Sequence, residues 1–198
     1  MSKKQVELYW DVGSTNTYFA YKLLKPILHQ TGAELVLHPF NLGYVFRANN
    51  YVLMEEPPAK LANRKRDLMR WAEKYNLPFR FPDVFPIKTS RVLRGALAMR
   101  RWNLEAAFTE AVLDAYWECN DASIADFAGL RPIVRSLGVD PAAFEELSES
   151  DEIRQQLVDS TNQGLDRGVF GVPSLFVGDE LFWGKDRMDF VEEELLRS

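Results

Sequence analysis

Ser14 is the residue whose type and setting first suggest chemistry. An apolar run of Val6, Leu8, Tyr9 and Trp10 reads as a short buried strand, and Gly13 breaks it. From Tyr18 onward, apolar residues (Ala20, Tyr21, Leu24, Ile27, Leu28) recur at helical spacing. Ser14 therefore lies at a strand-to-helix turn, beside a helix N-terminus whose unpaired N–H groups and positive dipole end suit an anion. Two readings stand at this point: an N-cap supplied by Ser14 or Thr15, or an anion site built on the same turn. Other chemistry has less to work with. The only two histidines, His29 and His38, have no second ligand at helical or hairpin spacing, which argues against a metal site. A serine hydrolase lacks its G-x-S-x-G elbow before a plausible histidine partner. The single cysteine, Cys119, excludes an intrachain disulfide and fits a reducing compartment. It falls on a helical apolar stripe and is expected to be a buried core thiol.

The elements that must position Ser14 follow from periodicity. Gly32 reads as the stop of the first helix, and residues 34–40, with Val36 and Leu37 in a nearly continuous apolar run, read as a second buried strand. Strand, helix and buried strand make a βαβ unit with parallel pairing. Residues 41–56 read as loop, with Asn49 and Asn50 in the middle and Pro57 and Pro58 at the end. Residues 59–75 read as an amphipathic helix, with Leu61, Leu68, Trp71, Ala72 and Tyr75 to one side and Lys65, Arg66 and Lys74 elsewhere. After a segment marked by Pro78, Pro82 and Pro86, helices are expected over 90–102, 104–119 and 123–137. A short one follows Asp140-Pro141, and another covers 150–167. The pattern then reverts. Residues 174–177 and 180–183 flank the turn Gly178-Asp179 as a hairpin, and 186–197 close the chain as a helix. The layout is β-α-β, a helical block, then β-β-α: a small α/β domain (1–56 and 169–198) interrupted by an all-helical insertion (57–168).

At 198 residues, with 46% hydrophobic and 27% charged residues, the chain has material for a full core. A net charge of −5 and the lack of a Lys/Arg stripe interleaved with aromatics argue against nucleic acid as a partner. The basic start, Lys3-Lys4, leads into too few apolar residues for a signal peptide, and no run approaches membrane-spanning length. A cytoplasmic protein is expected.

Four stretches carry a family resemblance. Tyr9-Trp10-Asp11-Val12-Gly13-Ser14 resembles an aromatic-Asp-x-x-Ser opening. Asn49-Asn50 followed by Lys60-Leu61 resembles an Asn…Lys pair of glutathione contacts. Phe170-Gly171-Val172-Pro173 and Trp183-Gly184-Lys185-Asp186-Arg187 resemble two C-terminal signatures. Together they resemble the serine branch of the DsbA-like thioredoxin superfamily, which contains the 2-hydroxychromene-2-carboxylate isomerases and the kappa-class glutathione transferases. Redox-active members carry a cysteine at the position of Ser14. Here Ser14-Thr15-Asn16-Thr17 holds no thiol, so dithiol–disulfide exchange is excluded there. The family often has proline directly after the serine; this chain has Thr15, which adds a competing hydroxyl.

The resemblance implies a thioredoxin-like fold with a helical insertion, a homodimer, and glutathione as the thiol. It implies that Ser14 donates its O–H to the sulfur, helped by the helix dipole. A tripeptide thiol with a reference pKa near ~8.5 is otherwise only a few per cent ionised at neutral pH. Glutathione contacts are implied at Asn50 (or Asn49), Lys60, Val172, Pro173, Lys185 and Asp186, with a cis Val172–Pro173 bond. Phe46, Phe85 and Trp183 are candidate apolar walls for a small aromatic substrate, and Arg91 or Arg94 a candidate partner for its carboxylate. The implied reaction is cis–trans isomerisation of an aryl pyruvate reached from a chromene, in aromatic degradation. A kappa-type transferase or peroxidase, and a thioredoxin-like binding module without turnover, are the alternatives.

Overall fold

The computed structural model describes residues 4–51 and 57–197. Four strands, β1 (Gln5–Trp10), β2 (Glu34–Pro39), β3 (Ser174–Val177) and β4 (Glu180–Trp183), form one mixed sheet in the order β2-β1-β3-β4. β1 and β2 run parallel with Leu8 opposite Leu37, while β3 pairs antiparallel with both β1 and β4. The parallel pair needs a crossover, and α1 (Thr15–Thr31) supplies it. Gly32, at φ 69, closes that helix by donating its N–H to the Leu28 carbonyl.

Between β2 and β3 lie α2 (Leu42–Ala48), α3 (Pro58–Tyr75), α4 (Ser90–Met99), α5 (Glu105–Trp117), α6 (Phe127–Ser136), α7 (Pro141–Glu149) and α8 (Asp151–Asp166). After β4, a 3-10 turn over Lys185–Arg187 leads into α9 (Met188–Arg197). This is the α/β layout with a helical interruption that the periodicity calls for. Among the described residues no helix is long and apolar enough to cross a membrane.

Several local expectations fail. Part of the loop expected over 41–56 is helical: Asn41 caps α2, its side chain accepting from the Tyr44 N–H at 3.0 Å. Seven residues are too few to display a helical period, so the segment reads as loop. Residues 52–56 lie outside the described residues. Cys119 is exposed rather than buried. α5 ends at Trp117, the Glu118 and Cys119 N–H groups both donate to the Asp114 carbonyl, and Asn120 turns left-handed at φ 59. The apolar stripe of α5 therefore stops before it reaches the cysteine. The helices expected over 90–102 and 123–137 also prove shorter, each adjoined by a 3-10 turn (Arg100–Trp102 and Ala122–Ala125).

The strand period of two sends side chains to two cores. Val6, Leu8, Trp10, Leu37, Leu175 and Val177 join the main core with Leu24 of α1 and Val191 and Leu195 of α9. Tyr9 and Phe176 join a smaller cluster with Phe40, Val45, Val169 and Val172. Each fully buried large side chain contributes ~1.5–3 kcal/mol, so these two clusters, rather than any single cap of ~1 kcal/mol, hold the sheet.

The smaller cluster depends on one close approach. A Cβ on Gly164 of α8 would come within 2.9 Å of the Tyr9 ring and 3.0 Å of the Phe40 ring, both buried. Gly164→Ala forces one of these rings aside, at a typical overpacking penalty of ~1–3 kcal/mol. Urea denaturation is expected to show that loss; an unchanged midpoint would mean that α8 packs more loosely than this.

Candidate active site

Ser14 is the N-cap of α1, at φ −95 and ψ 115, and its Oγ accepts from the Thr17 N–H at 3.3 Å. The same hydroxyl donates to the Val172 carbonyl at 3.1 Å, across 158 residues of sequence. The two ends of the α/β sequence meet at this hydroxyl. The Val172–Pro173 peptide bond is cis, as the resemblance implies. Pro173 itself points its carbonyl away, accepting from the Gly184 N–H at 3.0 Å.

The turn ahead of Ser14 is organised by Asp11, whose side chain is buried. Its Oδ1 accepts from the Gly13 N–H at 2.9 Å; its Oδ2 accepts from the Leu42 N–H and the Thr89 hydroxyl, each at 3.1 Å. Burial pushes the Asp11 carboxyl up to about 6, against the pull of these three donors. The Trp117 indole N–H donates to the Val12 carbonyl at 2.8 Å. Strand, α2 and the helical block are thereby tied to the same four-residue turn.

A cavity of about 870 Å³ opens in front of it, within the range of small-molecule sites. Gly13, Ser14, Thr15 and Asn16 line it from the turn into α1, and Lys60, Leu61, Arg64, Lys65 and Leu68 line it from α3. Phe81 and Phe85, with ring centroids 5.4 Å apart, stand at one position; Phe170 and Trp183, 5.2 Å apart and both exposed, stand at another. Among the described lining residues Lys60, Arg64 and Lys65 are the charged ones, and no carboxylate lines the space.

Of the candidates from sequence, Ser14, Lys60, Val172, Phe46, Phe85 and Trp183 line this cavity, and Asn49 does so rather than Asn50. Asn50 is left-handed at φ 52 just beyond the end of α2, while the Asn49 amide donates back to the Val45 carbonyl at 2.9 Å. Lys185 is turned toward α3: its Nζ lies 4.6 Å from the Trp71 ring centroid and 3.8 Å from Asp67. Burial lowers its pKa, opposed by Asp67 and Asp186. It clamps the α3 wall to the α/β part instead of lining the space. Asp186 is exposed and accepts from Arg187 at 2.7 Å, outside the lining.

Arg91 pairs with Asp126 and lies over Phe127, and Arg94 pairs with Glu149 and donates to the Ser148 carbonyl at 3.0 Å. Arg91 is thus held at the head of α6 and Arg94 on α7, and neither lines the cavity. The sequence reading missed Arg64, Lys65, Asn16 and Phe81 as lining residues. The Lys60/Arg64 spacing of four, which puts both on one ridge of a helix, was the available signal.

Residues 5–196 match the DsbA-like thioredoxin domain. The chain belongs to the DsbA-like thioredoxin domain family. Within that family it falls in the branch shared by 2-hydroxychromene-2-carboxylate isomerases and kappa-class glutathione transferases. It is 32% identical to a Pseudomonas sp. (strain C18) protein named 2-hydroxychromene-2-carboxylate isomerase, over 94% of this chain and 88% of the relative. It is 24% identical to Glutathione S-transferase kappa 1 of Caenorhabditis elegans, over 96% and 90%. A solved structure of 2-hydroxychromene-2-carboxylate isomerase superposes with a TM-score of 0.84 at 28% identity, covering 98% of this chain and 95% of the other. The mixed sheet with its helical interruption is thus the fold of this DsbA-like family.

Asp11 gives the site a pH signature. Unfolded, its carboxyl ionises near 3.8; folded, it keeps its proton up to about 6. The native state therefore binds more protons between those values, and the contribution of Asp11 to stability falls as pH rises through that window and is flat above it. Relative to Asp11→Asn, the wild type is expected to lose roughly 2 kcal/mol between pH 4 and pH 7. Parallel stability curves in urea for the two proteins would contradict this assignment.

Proposed function

We propose that this protein is a glutathione-dependent isomerase acting on 2-hydroxychromene-2-carboxylate or a similar aryl pyruvate, with Ser14 activating the glutathione thiol. The observation that carries the reading is the Ser14 hydroxyl at the head of α1, donating to the Val172 carbonyl and opening onto a cavity of small-molecule size. The residues present suit a tripeptide with two carboxylates and a thiolate: a helix N-terminus and a hydroxyl for the sulfur, and Lys60 for a carboxylate. Bound there, glutathione would supply the thiolate that adds to and leaves a conjugated double bond, which permits rotation while that bond is single.

The chain's own part begins with the Ser14 proton. In the structure it is given to the Val172 carbonyl. A ligand N–H that pairs with Val172 in strand-like fashion takes over that carbonyl and releases the hydroxyl toward the sulfur. Ser14 Oγ keeps accepting from Thr17 N–H throughout, so the hydroxyl swings about a fixed oxygen. Stabilising an anion by ~2.7 kcal/mol lowers a thiol pKa by ~2, within reach of one charge-assisted hydrogen bond plus a helix terminus. Leu61, Leu68, Phe81 and Phe85 exclude water from the aryl group. The relatives named isomerase are 30–32% identical and those named kappa transferase 23–24%, which favours isomerisation over conjugation.

Ser14→Ala should leave the fold intact, since losing an N-cap costs ~1 kcal/mol. Turnover of 2-hydroxychromene-2-carboxylate with glutathione should fall ~10- to 1000-fold. The thiolate absorbance of the bound tripeptide near neutral pH should drop with it. Full activity in Ser14→Ala, with loss in Thr15→Ala or Thr17→Ala, would assign the activating hydroxyl elsewhere.

A further inference from the structure

Another cavity, of about 270 Å³, lies between α2, α4 and α8 and shares no described lining residue with the one at Ser14. It falls just below the usual size of small-molecule sites, so its ligand is small. Arg94 and Arg154 supply its charge, Leu157 and the half-exposed Tyr44 and Val158 its apolar surface, and Asn162 an amide. Both guanidiniums are engaged along one edge. Arg94 donates through Nε to the Ser148 carbonyl at 3.0 Å and through Nη2 to the Glu149 carboxylate. Arg154 donates through Nε to the Glu149 carbonyl at 3.0 Å and through Nη2 to the other oxygen of the same carboxylate. Neither Nη1 has an acceptor among the described residues. Two cations thus share one carboxylate, and no acid is among the described residues that line the space. Arg94 is held below its ordinary pKa first by burial and then by the positive charges of Arg154 and Arg91.

We propose that this groove is a binding site, separate from the Ser14 cavity, for a small carboxylate with a short apolar body. The anion takes the two Nη1 donors through charge-assisted hydrogen bonds and offsets the positive charge that Glu149 alone leaves in excess. The apolar body covers Leu157, Val158 and the Tyr44 ring, which are otherwise open to water. No histidine, cysteine or carboxylate is among the described lining residues, so the groove holds its ligand without transforming it. Asn41 and Ser90, which also line it, adjoin Leu42 and Thr89, two of the three residues that donate to Asp11. A bound molecule therefore lies against the segments that set the Ser14 turn. The inference does not depend on the reaction assigned to Ser14.

The test follows amide resonances of the full chain by NMR while hexanoate, 1-hexanol or inorganic phosphate is added, with and without glutathione. Hexanoate should shift the Asn162 side-chain amide and the Ser90 and Thr161 backbone amides. It should bind on the order of 10-fold more tightly than the alcohol, which lacks the charge, or phosphate, which lacks the apolar body. Arg154→Met removes one donor at an exposed ion pair whose loss costs the fold little, and should weaken hexanoate about 10-fold. Val158→Trp fills the groove with both arginines in place and should abolish the shifts. The two variants act by charge and by volume, so either carries the comparison if the other does not fold. Shifts confined to the Ser14 cavity, equal binding of acid and alcohol, tighter binding of phosphate, or shifts that survive the variants would overturn the proposal. So would movement of the same resonances with protein concentration alone, which would mark a second copy of the chain as the occupant.

Discussion

Asp11 keeps a carboxylate out of water with donors from three parts of the chain: Gly13 in its own turn, Leu42 at the head of α2, and Thr89 at the entry to α4. A buried charge without a cation partner is tolerated only where hydrogen bonds replace its hydration. If any one donor moves, an acceptor is left buried and unpaired, a loss of ~1–3 kcal/mol or more for a charged group. The three segments are thus held to one geometry, and the Trp117–Val12 hydrogen bond fixes the fourth side. Ser14 inherits its place from this constraint. So does the distance between the head of α1 and the helical block, since Thr89 lies in that block while Gly13 lies in the turn.

Strong electrostatic perturbation is a poor guide to the site elsewhere in this fold. Glu7 is held below its usual range by the Arg167 guanidinium, which donates to both of its oxygens and lies 3.9 Å over the Phe176 ring. His38 sits 2.8 Å from Glu7 and stacks on Tyr9, with burial lowering its pKa. This network ties the C-terminal end of α8 to β1 and β2, and none of its members lines the cavity. Perturbed groups mark functional sites only probabilistically, because structural ion pairs perturb them too. Lys185 makes the same point: it falls within a family signature, yet its ammonium serves to hold α3 through Asp67 and Trp71.

The strands and the crossover helix could be read from residues 5–39 and 174–183 because local period and turn chemistry agree there, whereas the cis Val172–Pro173 bond was implied only by the resemblance. Ser14 and Val172 could be paired only through the resemblance, since nothing local in either segment announces a contact 158 residues away. What was illegible is long-range direction. Arg91 and Arg94 look in sequence like candidates for the site, and only the folded chain pairs Arg91 with Asp126 at the head of α6 and Arg94 with Glu149 of α7. α2 was too short to show a period, and the exposure of Cys119 hinges on a helix ending two residues early, within the ordinary uncertainty of helix ends. The role of Asp11 was visible as a motif letter but not as a junction, because two of its three partners are distant in sequence.

The two halves of the site contribute different physics. The α/β part supplies directional groups on rigid turns: a hydroxyl, a carbonyl and a helix terminus, all within one hydrogen bond of each other. The helical block supplies a wall whose positive side chains project from α3, where substitutions alter charge and volume without touching the turn at Asp11. The first half keeps its geometry whatever fills the rest of the cavity, because its hydrogen bonds run within the α1 turn and to Val172. The hydrogen bonds that fix the α1 turn reach Leu42, Thr89, Trp117 and Val172, so the α3 side of the cavity can change in shape and charge while the turn keeps its geometry.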